Sequence, residues 1–398
     1  VNLKINYQDI ADQIAEAVKC EFKVLPGSRE RLPAKWQADV EDVLFLDLQN
    51  YSAISEYSPQ DQVITLGCGI QLSQLSELLR EKSQWFPVSY GRRSTTLLDA
   101  IIYGECGFLE HLYGGPRRLV LGMTVALANG DLIRIGGKVV KNVSGYDLTR
   151  LIVGSLGVFG VPVSASLRLF ACPEVSTTIA LFHEKSIVLL EAAREIMKRG
   201  LPVSCLTVAD LKLLENPEAS PVDFFPVEHT ERFALFVRFD QSSQVIEEVK
   251  SDLLSWASAL PGIKPAVLQN RDFQIWPALY DLKNESSRPT IQIDVSHTVL
   301  YSWWQNEHFD SVPFIYSPGV GKLTFFPADV VNQSQLIKQL RDRAQTEGQS
   351  IRVTFLDEDC IRKTIHFAQD ALVQKTLFQS LKERFDPRGC LNPIVDIY

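Results

Sequence analysis

Glycine recurs at 136, 137, 145, 154, 157 and 160 in the stretch GGKVVKNVSGYDLTRLIVGSLGVFGV, which runs from residue 136 to 161. Glycine takes positive φ freely and lets the main chain pass close to another group with no Cβ in the way. Gly136 and Gly137 are placed to close a strand, and Asn142 and Gly145 to take positive φ. Gly154, Gly157 and Gly160 then follow a short apolar helix at three-residue spacing. Between them stand Lys138, Lys141, Tyr146, Asp147 and Arg150, which supply cations, a ring and a carboxylate. Such groups suit a pyrophosphate, a heteroaromatic ring and a ribose, so the stretch points to a bound dinucleotide. The same spacing also suits a tight turn joining a hairpin to a helix, and spacing alone does not separate the two.

The 398 residues are 45% hydrophobic, and division by about 150 residues per domain gives two to three domains. Lys plus Arg (40) minus Asp plus Glu (48) leaves −8, a balance that argues against nucleic acid or anionic lipid as partner. No apolar run approaches the roughly 18 residues of a membrane span, and VNLKINYQDI lacks the layout of a signal peptide. A cytoplasmic protein without direct membrane insertion is expected, with any membrane contact made through partner subunits. The seven cysteines, at 20, 68, 106, 172, 205, 360 and 390, form no C-x-x-C pair, which argues against a disulfide framework, a zinc site or an iron–sulfur cluster. No metal site is expected. A chain of this composition that passes electrons to a cluster has to do so through a separate subunit.

Ile10, Ile14 and Val18 make a helical stripe over residues 7 to 20, with Asn6 as cap, and Phe22 to Leu25 reads as a strand. Val43–Leu48, Ile54–Tyr57 and Val63–Leu66 read as further strands, and Leu72, Leu75, Leu78 and Leu79 as the apolar face of a helix. Asn129-Gly130 predicts a type I′ hairpin turn, and the alternation from Val163 to Leu169 predicts a half-exposed strand. After Cys172-Pro173-Glu174 glycine becomes sparse. Strand, helix and strand follow at Thr178–Phe182, Ile187–Lys198 and Val203–Val208, then Phe233–Phe239, a helix over Gln244–Ala257, Leu323–Phe326, a helix over Gln333–Ala344 and Ile351–Phe355. This predicts an antiparallel sheet with helices on one face. Leu214–Pro226 reads as a loop, and no short-period repeat is present.

The run Lys141-Asn142-x-x-Gly145-Tyr146-Asp147-Leu148, followed by Leu156-Gly157-x-x-Gly160, resembles the FAD-binding domain of the vanillyl-alcohol oxidase and p-cresol methylhydroxylase superfamily. Gly115-Pro116-Arg117-Arg118-Leu119-Val120-Leu121-Gly122 and the closing Phe385-Asp386-Pro387-Arg388-Gly389-Cys390-Leu391-Asn392-Pro393 extend the likeness, which looks closest to FAD-binding subunits of glycolate oxidase. The resemblance implies an α+β fold: a PCMH-type FAD-binding domain of two subdomains over residues 1–172, then an α+β substrate or cap domain over 173–398. It implies non-covalent FAD, since the histidine that often carries the flavin is missing from residues 25 to 33. Cys106 and His111 are the nearby exceptions to weigh.

In the family the first phosphate loop is glycine-rich; here Gly27, Ser28 and Arg29 would offer backbone donors and a guanidinium. Ser94, Thr95 and Thr96 would bind phosphate by hydroxyl and amide, helped by Arg92 or Arg93 and opposed by Glu105 and Glu110. Both loops depart from the family pattern. The remaining cofactor residues implied are Pro116, Arg117, Arg118, Lys141, Asn142, Gly145, Tyr146, Asp147, Gly157, Gly160 and Val161. Asp147 and Tyr146 would meet the flavin edge, and Asp147 would also cap a helix starting near Leu148. Leu156 stands where related flavoproteins often carry an acidic residue.

The implied function is that of an FAD-binding subunit of a multi-subunit glycolate dehydrogenase, with a sister flavoprotein and an iron–sulfur subunit as partners. Two alternatives stay open: a non-catalytic assembly subunit with weakened FAD binding, and a self-contained D-lactate-type dehydrogenase. Oxidising a 2-hydroxy acid needs a base, a cation for the carboxylate and the flavin as hydride acceptor. His183, His229, His297, His308 and His366 share no telling spacing, and Trp276, Trp303 and Trp304 suit a core as well as a pocket. The catalytic base is therefore not assigned.

Overall fold

The computed structural model describes residues 6–27, 41–91, 95–137, 147–214, 231–268, 272–283, 289–306, 309–347, 351–356, 362–367, 371–393 and 395–397. It is an α+β protein with antiparallel sheets at its centre, as expected. The first helix, Gln8–Lys19, buries Ile10, Ile14 and Val18, and the Asn6 side chain accepts from the Gln8 amide at 3.1 Å. It packs on the parallel pair Lys23–Pro26 and Val43–Leu46. Beside them lies a five-stranded antiparallel sheet in the order Ile54–Ser58, Val63–Gly67, Val161–Arg168, Val120–Ala126, Leu132–Gly136. Together they enclose one apolar core running from Ile10 to Leu169.

Two local expectations change here. Val161–Arg168 is the middle strand, so both faces are covered, and Ser164 and Ser166 are buried at 7% exposure rather than facing water. Ser166 shares a hydrogen bond with Thr65 at 2.8 Å. The hairpin at Asn129-Gly130 is not a two-residue type I′ turn. Leu127 N–H donates to Asp131 O at 2.9 Å, which leaves three residues in the loop with Gly130 at φ +87°. That is the three-residue hairpin that ends on a left-handed glycine.

Beyond residue 174 the chain builds a ten-stranded sheet from two ferredoxin-like halves. In the first half, strands Val175–His183, Val203–Asp210, Phe233–Gln241 and Lys264–Val267 stand in the spatial order fourth, first, third, second, with helices Ser186–Lys198 and Ser243–Ser258 as crossovers. In the second half, Ile291–Asp294, Phe314–Ser317, Lys322–Phe325 and Ile351–Leu356 repeat that order, with helices His297–Asn306 and Val330–Glu347. The halves join where Val208 pairs with Tyr316 and Ala209 with Ile315. Arg362–Phe367 and, in parallel to it, Val395–Ile397 extend the sheet.

The expectation of helices on one face is incomplete. The crossover helices do bury Ile179, Leu181, Val208, Leu235 and Val237 on one side. Strand residues alternate between faces, and the other side presents Ala180, Phe182, Ala234 and Phe236, which pack under Phe108 and Leu109 of the first unit and helix Asp272–Lys283. Phe108 and Trp276 meet with ring centroids 5.1 Å apart, and Trp276 donates to Thr178 at 2.9 Å. The two units therefore share a buried seam, and the candidate site opens along it.

The last segment crosses back. Helix Ala371–Phe385 lays Phe378, Leu381 and Phe385 on the first core, and Cys390 and Leu391 are members of that core. Among the described residues no helix is long and apolar enough to cross a membrane.

Candidate cofactor and substrate site

Three segments distant in sequence converge behind the site. Gly154 and Leu156 donate to the carbonyls of Ile101 and Ile102 at 2.9 and 2.8 Å, which lays the 154–157 turn on the end of helix Leu97–Tyr103. Gly157 has φ +81°, and a Cβ there would lie 2.7 Å from Pro26 Cγ. Gly27 sits against the Asp99 carboxylate. From the far end of the chain, Asn392 donates by its amide N–H to Val24 O at 2.9 Å and by its side chain to Leu156 O. Buried Asp386 accepts from the amides of Cys390 and Leu391 at 3.1 and 2.8 Å and so shapes this strap.

In front of these turns lies a cavity of about 410 Å³. Gly104, Gly115, Pro116, Arg117, Arg118, Gly154 and Leu156 line it from the first unit. Tyr280, Lys283, Gln292, Asp294, Lys322, Thr324, Arg352 and Thr354 line it from the second. Among the described residues its charged lining is five cations (Arg117, Arg118, Lys283, Lys322, Arg352) against three carboxylates (Glu105, Glu110, Asp294). That is an excess of positive charge in an acidic protein. Lys322 bonds Glu110 across the seam at 2.5 Å, and Arg352 pairs with Asp294. Burial alone would lower the Lys322 pKa, but the Glu110 carboxylate outweighs it and holds the ammonium above its ordinary value. Burial, with the Lys322 charge beside it, brings Lys283 down from 10.5 to about 8.

A depressed lysine pKa has a defined stability signature. Below about pH 8 Lys283 is charged in the folded and unfolded states, and the folded state bears the whole desolvation penalty. Between about 8 and 10.5 the unfolded chain holds the extra proton, so stability rises with pH through this group. In denaturant titrations across this range, the advantage of Lys283→Met over the wild type is expected to shrink as pH rises. A gap independent of pH would refute the assignment.

Pro116, Arg117 and Arg118 line the cavity; Pro116 opens a short helix, and Arg117 Nε donates to Val153 O at 3.4 Å. Gly27 and Gly157 stand behind the cavity as close-packed backbone. Gly160 and Val161 lead into the central strand. Thr96 differs from expectation. Its amide and hydroxyl donate to the Asp99 carboxylate at 2.9 and 2.8 Å and its Oγ1 accepts from the Asp99 amide, a reciprocal capping box that leaves neither group for a phosphate. Thr95 is buried beside it, its carbonyl accepting from the Leu72 amide at 2.9 Å. Asp147 also differs: it pairs with Arg150 at 2.9 Å on the surface, and the helix Thr149–Ile152 has Leu148 at its cap position. Ser28, Arg29, Ser94, Lys141, Asn142, Gly145 and Tyr146 lie outside the described residues.

Cys106 is fully buried, and burial with the Glu110 charge pushes its thiol well above the ordinary value, which disfavours a nucleophilic thiolate. Burial likewise lowers the His111 pKa. Tyr280, Lys283, Lys322 and Arg352 were not singled out from sequence; each lies in an ordinary helix or strand, and only the sheet order brings them together. Among the described residues no group of three or more His, Cys, Asp or Glu side chains could hold a metal ion.

The family described as FAD binding domain matches residues 6–136, the segment that builds most of the first unit. The first unit carries an FAD-binding domain. Across 184 residues the chain is 34% identical to glycolate oxidase subunit GlcE of Escherichia coli, covering 44% of this chain and 51% of that protein. Over 178 residues it is 31% identical to glycolate oxidase subunit GlcD of Bacillus subtilis, covering 44% of this chain and 37% of that one. A D-lactate dehydrogenase of Archaeoglobus fulgidus matches at 31% over 149 residues, 37% of this chain and 34% of that protein. The matches thus span about half or less of these relatives. Among solved structures, 4-ethylphenol oxidase from Gulosibacter chungangensis superposes with a TM-score of 0.69 at 13% identity, over 97% of this chain and 87% of that one. That likeness concerns the fold.

The residues present fit FAD. Arg117 and Arg118 suit a pyrophosphate-bearing ligand, and the glycine-bearing turns beside them bring bare backbone to the cavity wall. Among the described residues Asn392 Oδ1 is a buried acceptor without a donor, next to the Leu156 turn, and Thr149 Oγ1 is a buried hydroxyl without a partner in the helix that precedes that turn. Buried polar atoms normally have partners, and the ribityl and ribose hydroxyls of FAD are donors of the right kind.

Proposed function

We propose that this chain is the FAD-binding subunit of a multi-subunit dehydrogenase that oxidises glycolate or a similarly small 2-hydroxy acid, passing electrons to partner chains that include an iron–sulfur subunit. The observation that carries the reading is the cation-rich cavity between the glycine-bearing turns and the second unit. FAD, when bound, supplies the acceptor for the hydride leaving the α-carbon. The chain's own part is to hold the substrate: the excess positive charge attracts its carboxylate, and the seam between the units keeps bulk water away from it. The likeness to glycolate oxidase subunits supports the substrate class and the subunit character.

A second reading, a non-catalytic assembly subunit, draws on the capping box at Thr96 and on a cavity whose described lining includes no histidine. The visible absorption spectrum of the purified chain, before and after denaturation and with anaerobic glycolate, separates the two. Flavin that bleaches with glycolate supports the dehydrogenase. Flavin that stays oxidised moves the chemistry to a partner. A chain that holds no flavin even after incubation with FAD is an assembly subunit. Turnover by the chain alone, with D-lactate and an artificial acceptor, would instead favour a self-contained enzyme.

A further inference from the structure

We propose that the Lys283 ammonium anchors the carboxylate of a small substrate carrying a single carboxylate, an inference that rests on the oxidoreductase reading above. The cavity's other cations are committed or peripheral. Lys322 is held by Glu110, Arg352 by Asp294, and Arg117 by the Val153 carbonyl. Arg118 is exposed beside Gly114. Lys283 is partly buried, and among the described residues it makes no hydrogen bond or ion pair; its ammonium lies 5.2 Å from the centroid of the Phe108 ring.

An ammonium withdrawn from water needs acceptors, and the aromatic face offers it only partial compensation. Glu105, Glu110 and Asp294 favour its charge from a distance, whereas Lys322 opposes it. Burial lowers its pKa, and among the described residues no carboxylate stands in direct contact with it. A carboxylate entering the cavity would supply that contact. Lys283 closes helix Asp272–Lys283, whose terminal carbonyls favour a cation. The helix belongs to the second unit, so the lysine stands on the wall that carries none of the glycine turns expected to hold the cofactor. Of the cavity's described cations, Lys283 alone is set back from solvent without a carboxylate or carbonyl partner, and that single site matches one carboxylate.

The test uses methoxyacetate, which keeps the carboxylate and α-oxygen of glycolate but has no hydroxyl proton to lose. Its binding to the full chain is measured by calorimetry, alongside flavin content by absorbance. The expected result is measurable binding to the wild type, a loss of about ten- to a hundredfold in Lys283→Met, as for one charge-assisted hydrogen bond, near-normal binding in Lys283→Arg, and unchanged flavin in both variants. Methoxyacetate binding Lys283→Met as well as the wild type would overturn the proposal, as would no binding to the wild type. Loss of flavin from Lys283→Met would also overturn it, since the lysine would then hold the cofactor. Tighter binding of succinate than of methoxyacetate would overturn the single-carboxylate class. A wild type that lacks flavin yet binds methoxyacetate through Lys283 would sink the oxidoreductase reading and leave the anchor standing.

Discussion

Gly157→Val yields a chain without bound flavin and with a clearly lowered melting temperature. At φ +81° a β-branched residue is in a region its side chain disfavours, and such strain costs about 1–3 kcal/mol. The added Cβ would also stand 2.7 Å from Pro26 Cγ, at the end of the strand that leads toward the segment expected to be the first phosphate loop. Overpacking of that kind adds about 1–3 kcal/mol. Relief requires moving either the 154–157 turn or Pro26, and both flank the expected cofactor path. Gly200→Ala is the control. Its φ is +67°, yet nothing lies within 4 Å of the new Cβ, so it should cost about 1 kcal/mol and leave flavin untouched. Equal flavin content in Gly157→Val and the wild type, read by absorbance after denaturation, would mean that this turn does not shape the cofactor site.

Asp386→Ala should remove about 3 kcal/mol of stability and most of the flavin. The Asp386 carboxylate is 2% exposed and accepts two backbone amides, from Cys390 and Leu391. Its loss leaves two buried donors unsatisfied, at about 1–3 kcal/mol each. The damage would spread to the cofactor side because Asn392, next along, bonds Val24 O and Leu156 O, one on the first strand and one in the glycine turn. Asp386→Asn, which keeps one acceptor oxygen, should lose about half as much. Urea denaturation with and without added FAD measures both effects. An Asp386→Ala protein with wild-type stability and flavin would show that the strap merely rests on the first unit.

These two residues illustrate how differently parts of the site could be read beforehand. Gly157 stood out from local pattern, because a positive φ is a property of one residue and its neighbours. The closing Asp386–Asn392 run was noticed by resemblance, but its place against Val24 and Leu156, more than two hundred residues away, follows from tertiary packing. Thr96 shows a local pattern misread: a threonine followed three residues later by Asp99 is a capping signature, and the structure uses it that way instead of turning the hydroxyl to a phosphate. The serines of Val161–Arg168 suggested a wet face, which the central position of that strand removes.

Short-range chemistry alone settled most helices and strands, the glycine-bearing turns and the α+β class, since periodicity and turn preference act over a few residues. The FAD-binding character of the first unit and the meaning of the Gly115-Pro116-Arg117-Arg118 segment came from family resemblance, since local spacing suited a tight turn equally well. Only the tertiary structure decided that two ferredoxin-like halves join at Val208–Tyr316, that the second face of their sheet docks on Phe108, and that Lys283, Lys322 and Arg352 look into one cavity with Arg117. The physical reason is that strand order and register are long-range choices, made by burying apolar faces against each other. A lysine at the end of a helix carries no local sign of which wall it will stand on.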